Sequence, residues 1–248
     1  MIDISFKFTS DTPGFWEGFW ERRDGLGLGG ADPDSLSPTL QEYHRLLWSK
    51  ELPNGQKMEL KKGSASYYLT WGDYRFGSDT IITDFRYGRN MNILDQVRQR
   101  VPDFKAFIKS NTERAYSIGG TIIFPKHMKS LNQCRGTNRL ISDRWDLTME
   151  CIRRHYEKQE SPLSKVLDAD SNFFNLFVDF KGYVDYFLLQ DCVSEDYRSV
   201  IIWDGKGDFS EDGLPKTCNN YLSFVSKEYE FLEKRNKRIG EYAKMKGL

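Results

Sequence analysis

Along the chain, apolar positions recur at two periods, two residues and about three and a half, with turn-forming residues between the stretches. Ile2-Asp3-Ile4-Ser5-Phe6-Lys7-Phe8 alternates apolar and polar residues and predicts a strand. Ser37-Pro38 is an N-cap followed by proline at the first helical position. Leu40, Tyr43 and Leu47 recur behind it at helical spacing, predicting a helix to about Trp48. After the turn signal Pro53-Asn54-Gly55, the stretches 57–60, 66–71 and 80–85 predict an antiparallel meander. Leu94, Val97, Val101, Phe104 and Ile108 form one apolar stripe, which predicts a helix interrupted or bent near Pro102. SIGGTIIFP, residues 117–125, predicts a further strand. Ser142 to Tyr156 predicts a helix capped by Ser142, with Trp145, Met149, Ile152 and Tyr156 facing inward. Phe173, Phe177, Phe180, Val184 and Phe187 predict a buried helix or helix pair broken at Gly182. Ser199–Trp203 predicts a short strand, and Asn219–Met245 a long amphipathic helix. With no repeat and no visible boundary, the expectation is one α+β domain over residues 1–248. Its sheet is mixed or mainly antiparallel and is packed by several amphipathic helices.

Composition supports a packed core. Of 248 residues, 39% are hydrophobic and 15% aromatic, which excludes wholesale disorder. A formal net charge of zero excludes a generic polyanion binder. The charge is nevertheless uneven. Residues 126–158 carry eight Lys/Arg against four Asp/Glu, and residues 168–212 carry three against eleven. Such blocks either neutralise each other or flank a cleft. The cysteines at 134, 151, 192 and 218 follow no metal-binding or redox spacing. The N-terminus lacks the apolar run of a signal peptide, and no stretch approaches the roughly 18 apolar residues of a membrane span. The expected location is therefore cytoplasmic, with no membrane partner.

The densest chemistry is RGTNRLISDRWDLTMECIRRHY, residues 135–156. Arg135 beside Gly136 pairs a planar, bidentate donor with a residue that lets backbone approach, a combination suited to a phosphate or carboxylate. Arg139, Arg144 and Arg153 extend the candidate anion grip, and Glu150 stands one helical turn from Arg154. A second set, Asp179, Asp185, Gln190 and Asp191, lies in the apolar segment DFKGYVDYFLLQDCV. Carboxylates there need partners, and Asp185 or Asp191 is expected to pair with Arg144 or Arg153. The candidate acid–base groups are Glu150 and Asp185; the candidate ligand contacts are Arg135, Gly136, Arg139, Arg144, Arg153 and Asp191. The ligand class is a phosphorylated small molecule or nucleotide. Six-residue steps between the aspartates do not single out Mg²⁺, so no metal or cofactor is assigned. The same residue types also build salt-bridge networks that fix a helix against a sheet, and that reading stands beside the first.

Other signals rank lower. GLGLGG lacks the GK[ST] of a P-loop, and His127 at a strand end has no nucleophile pattern around it. Lys234-Arg235-Asn236-Lys237-Arg238 reads as a solvated helix face before a nucleic-acid contact. FWEGFWERR, from Phe15 to Arg23, reads as core edge or partner surface. It supplies the rival function: a non-catalytic interaction protein whose charged seam is purely structural.

The segments SPTLQEYHRLLWSKELPNG, IGGTIIFP, NQCRG…ISDRWDLTMECIRRHY, FFNLFVDFKGYVDYFLLQDCV and FLEKRNKRI together resemble one bacterial family, a domain of unknown function. The resemblance runs from about Asp32 to Ile239 and takes in Arg135, Gly136, Asp143, Arg144, Asp146, Glu150, Arg153, Arg154, Asp185, Gln190 and Asp191. It implies a single full-length domain in a bacterial or phage-related setting and brings no activity with it.

Overall fold

A computed structural model describes residues 1–21, 31–64, 68–81, 91–126, 140–141, 144–203, 209 and 215–248. Four strands form one antiparallel sheet in sequence order: β1 (Lys61–Lys62), β2 (Leu69–Trp71), β3 (Tyr74–Thr80) and β4 (Thr121–Pro125). The β2–β3 hairpin turns at Gly72-Asp73, where Gly72 takes φ +52°, a conformation that suits the right-handed twist of the flanking strands. β3 and β4 pair along their length, from Phe76 opposite Pro125 to Thr80 opposite Thr121. Every residue of β4 is buried, so this strand lies at the centre of the core.

Ten α-helices surround the sheet among the described residues: α1 (Phe15–Glu21), α2 (Pro33–Leu36), α3 (Pro38–Trp48), α4 (Met91–Arg100), α5 (Phe104–Ala115), α6 (Trp145–Tyr156), α7 (Ser164–Ala169), α8 (Ser171–Phe174), α9 (Phe180–Tyr186) and α10 (Cys218–Lys246). The class is α+β. Ser37 caps α3 by accepting the Leu40 N–H at 3.1 Å. The stripe around Pro102 resolves into α4 and α5, with Asp103 capping the second through the Ala106 N–H. Thr217 caps α10, and Gly247 closes it at φ +68°.

Two apolar clusters result. The larger fills the space between the sheet, α3, α6–α9 and the C-terminal half of α10. The smaller joins α1, α4 and α5 to the N-terminal half of α10 through Phe15, Phe19, Leu94, Ile108, Tyr221 and Phe224. Phe15 and Phe19 are buried, while Trp16 and Trp20 lie at the edge under Lys109 and Lys105. FWEGFWE is thus a core edge whose outer rings are capped by ammonium groups.

Four expected elements differ. The N-terminal alternation is not a strand: Asp3 Oδ1 captures both the N–H and the hydroxyl of Ser5, and the chain turns into a short 3₁₀ segment at Phe8–Ser10. A side chain that satisfies nearby backbone competes with sheet pairing. Residues 57–60 form only one bridge, Glu51 to Lys57, and the first strand comes later at Lys61. In the aromatic segment the break falls at Val178 (φ +71°, ψ −56°) rather than at Gly182. Gly182 lies inside α9, where a Cβ would stand 2.0 Å from the Phe177 carbonyl oxygen, so its lack of a side chain serves close packing. Ser199–Trp203 contributes an isolated bridge, Val193 to Val200. Of the expected strand 80–85, residues 82–85 lie outside the described residues, as do GLGLGG and His127, and α6 starts at Trp145 with Arg144 as its N-cap rather than Ser142.

Candidate functional site

The charged seam comes first because the sequence points there. Arg144 precedes α6 in extended conformation, and its carbonyl accepts both the N–H and the hydroxyl of Thr148 at 3.1 Å. Its guanidinium is fully buried. Nε and Nη2 grip both oxygens of Asp146, at 3.0 and 2.5 Å, and the plane lies 5.3 Å from the Trp203 ring centroid. Asp146 also accepts the Trp203 N–H at 3.0 Å, so the pair fastens the start of α6 to Trp203. One turn on, Glu150 receives two N–H groups from Arg153 and one from Arg154, each at 2.8 Å. Arg153 continues to Glu157, and Arg154 lies over the ring of Phe209. Burial pushes the Glu150 carboxyl up, but the hydrogen bonds from Arg153 and Arg154 outweigh it and hold the group below the ordinary glutamate range.

The acids of α9 and its continuation find other partners. Asp185 accepts from Lys181, from the Tyr197 hydroxyl at 2.7 Å and from Gln190 Nε2 at 2.9 Å. Those bonds overcome the upward push of burial and hold its carboxyl below the ordinary aspartate range. Asp191 takes both guanidinium nitrogens of Arg238, at 3.0 and 2.9 Å. The expected pairing of Asp185 or Asp191 with Arg144 or Arg153 therefore does not form. Partners one turn away, or on the adjoining face of α10, reach these carboxylates with less side-chain ordering. Arg135, Gly136 and Arg139 lie outside the described residues. Among the described residues no group of three His, Cys, Asp or Glu side chains is placed to hold a metal ion.

A second constellation lies deeper, between α2, α3 and the sheet. Asp32 caps α2 through the Asp34 N–H at 3.1 Å. Asp34 itself is buried, 8% exposed, and hydrogen-bonds to the Ser78 hydroxyl and the Thr80 N–H on β3. No described cation pairs with it. Burial, then the charges of Asp32 and Asp79, push its carboxyl well above the ordinary range, which favours the protonated form. Burial raises Asp32 as well, against the pull of Lys126.

Nearby, the buried Tyr68 hydroxyl stands 3.3 Å from His44 Nδ1. His44 Nε2 stands 3.1 Å from Thr121 Oγ1, which lies 3.3 Å from the Ile118 carbonyl. Arg235, fully buried, donates to the carbonyls of Gly119, Thr121 and Phe187. Burial and then the charge of Arg235 depress His44 to about 3, so it is neutral.

Sequence reasoning passed over this set although two of its members carry a signal. His44 falls on the stripe of Leu40, Tyr43 and Leu47, and Arg235 on that of Leu232 and Ile239; both are polar residues at core positions. Asp34 carries none, since an acid in ADPDS reads as an ordinary helix start.

A family model described as "Family of unknown function (DUF6994)" matches residues 2–239, and the chain belongs to that family. No curated protein and no solved structure matches it.

Proposed function

From membership of a family without an assigned activity, we propose that this chain binds and processes a phosphorylated, nucleotide-like small molecule inside a bacterial cell, as one folded unit over residues 1–248. The proton-carrying group is Asp34. The observation that carries this reading is a buried carboxyl without a described cation, hydrogen-bonded to the Ser78 hydroxyl. Glu150 and Asp185 are poorer candidates for moving protons because their oxygens are already filled by donors. Lys126, beside Asp32, and Arg135 and Arg139 further along the same segment supply the anion-holding charge, while Arg144 and Arg153 serve α6. The buried thiols of Cys151, Cys192 and Cys218 are unpaired, and no helix among the described residues is long and apolar enough to cross a membrane; both accord with an intracellular setting.

The test is a thermal-shift screen against nucleotides and sugar phosphates. A hit should vanish in Asp34→Asn and in Arg135→Ala while both variants stay folded. Asp34→Asn should also stabilise the ligand-free protein at pH 8 and leave it unchanged near pH 3. An acid whose folded-state pKa is raised stabilises below its unfolded pKa, and that contribution is lost as pH rises through the folded value. Ligand shifts that survive Asp34→Asn would remove Asp34 from the site. The saturation of the seam favours one second reading, an interaction protein with no small-molecule site, and an empty screen would support it.

A further inference from the structure

The long helix α10 serves two cores. Its N-terminal half packs on α1, α4 and α5 through Tyr221, Phe224 and Val225, and its C-terminal half enters the sheet core through Leu232, Ile239 and Ala243. Among the described hydrophobic residues, only Tyr116 and Tyr229 pack against both cores, and neither is fully buried. So narrow an apolar junction holds the two cores together weakly, because apolar stabilisation scales with the area removed from water.

The two halves of α10 also differ in what makes them helical. Residues 218–229 read CNNYLSFVSKEY, and Asn, Ser, Val and the aromatic residues are weak helix formers. Residues 230–246 read EFLEKRNKRIGEYAKMK, in which the strong formers Glu, Lys, Arg, Leu, Ala and Met prevail. This second half is also tied down. Arg235 donates to the carbonyls of Gly119, Thr121 and Phe187, and Arg238 pairs with Asp191. The first half depends on the smaller core for its helical form.

Trp203 ties the two cores together. Its ring packs in the smaller one, edge-on to Phe224 at 4.9 Å. Its N–H is held at 3.0 Å by Asp146 on α6, a helix of the larger core, and Lys227 of α10 donates to its carbonyl at 3.3 Å. The Arg144 guanidinium grips Asp146 and lies against the same ring. The Arg144–Asp146 pair thus anchors on the larger core a ring that belongs to the smaller.

We propose that α1, α4, α5 and the N-terminal half of α10 open as one unit from the sheet core, unwinding α10 near Tyr229, and that Trp203 is the clasp that holds the unit shut. Segments that move when a fold engages a partner are drawn from such low-stability units. Asp34 packs against β3, outside the unit, so the opening does not rest on any role for that carboxyl.

The experiment is amide hydrogen exchange of the full chain, read by mass spectrometry, in the wild type and in Trp203→Ala. In the wild type, amides of α4, α5 and Tyr221–Val225 should share one protection level, about tenfold or more below that of β4 and Leu232–Ala243. Trp203→Ala should speed exchange throughout the first group by about a further tenfold and leave the second unchanged. Phe224→Leu trims the same contact from the other side and should act in the same direction, with a smaller effect. A single protection level across both groups in the wild type overturns the separate unit. Exchange in Trp203→Ala that is unchanged, or that rises equally in both groups, overturns the clasp.

Discussion

At the start of α6 and along it, Arg144, Asp146, Glu150, Arg153 and Arg154 lie within eleven residues, and each meets an opposite charge within 3 Å. Between α2, α3, β3, β4 and α10, Asp34, His44 and Arg235 are also buried, but no described ion pair joins any of them. Neutral hydroxyls and carbonyls serve them instead. The two regions shift their groups in opposite directions. Pairing drives Glu150 down and Arg153 up, so both are more firmly charged than usual. Burial without pairing drives Asp34 up, His44 to about 3 and Arg235 to about 10, so each is pressed toward its neutral form. Charge density in a sequence therefore marks where this fold is fastened. Isolated polar residues on apolar stripes, His44 and Arg235, mark where buried groups are pressed toward their neutral forms.

The comparison is broken most severely at Arg235. Its replacement by alanine removes the donors to Gly119, Thr121 and Phe187 and leaves a cavity against α10. Loss of about 4 kcal/mol is expected in urea unfolding, the scale for stranding buried polar groups together with a large deletion. A loss below about 1 kcal/mol would mean that the carbonyls are satisfied without it.

Next in size is the acid limb of the stability curve. His44 has a folded-state pKa depressed to about 3 from 6.5. Its contribution is complete above the unfolded value and is lost as pH falls toward the folded one. At pH 4 the loss is on the order of 3 kcal/mol, at about 1.36 kcal/mol per unit. His44→Gln should flatten melting temperature against pH between 6.5 and 4. Imidazole ¹⁵N spectra sharpen the point: His44 should still be neutral at about pH 5, and a doubly protonated ring there would overturn the depression.

The legibility of the sequence follows the same divide. Ser37-Pro38, Pro102 and the long C-terminal stripe are local signals, and the helices α3, α4, α5 and α10 form where they point. The pair Glu150–Arg154 was visible for the same reason, four residues apart on one helix. Asp34 meeting Ser78, or Arg235 meeting Gly119, depends on residues more than forty positions apart, and no periodicity encodes which of them will touch. Asp191 was misjudged on the same account, its partner Arg238 standing 47 positions away; for Asp185 that account fails, because Lys181 stands only four residues before it on α9.

Within the seam the effects should shrink. Glu150→Gln removes the charge shared by Arg153 and Arg154 and turns one of its two acceptor oxygens into a donor, but Arg153 keeps Glu157. A half-buried pair of this kind is worth about 1–2 kcal/mol. Because the Glu150 pKa is depressed, that difference should be full above pH 4.5 and should fade as pH drops below it. A difference that persists undiminished at pH 2 would assign the loss to packing.

The smallest effect belongs to Arg154, whose side chain is 34% exposed and whose partner Glu150 has two bonds from Arg153 without it. Arg154→Ala should cost less than about 0.5 kcal/mol, with most of that lost in high salt, since water competes for an exposed guanidinium and salt screens it. The value matters because Arg154 is chemically the same group as the buried Arg235. If the two substitutions differ several-fold, depth of burial sets what an arginine contributes to this fold, and the count of arginines in the seam is no measure of it. If Arg154→Ala proves as costly as Arg235→Ala, the network on α6 acts as one cooperative unit, and its saturation by Glu150 and Glu157 holds the whole helix rather than one side chain.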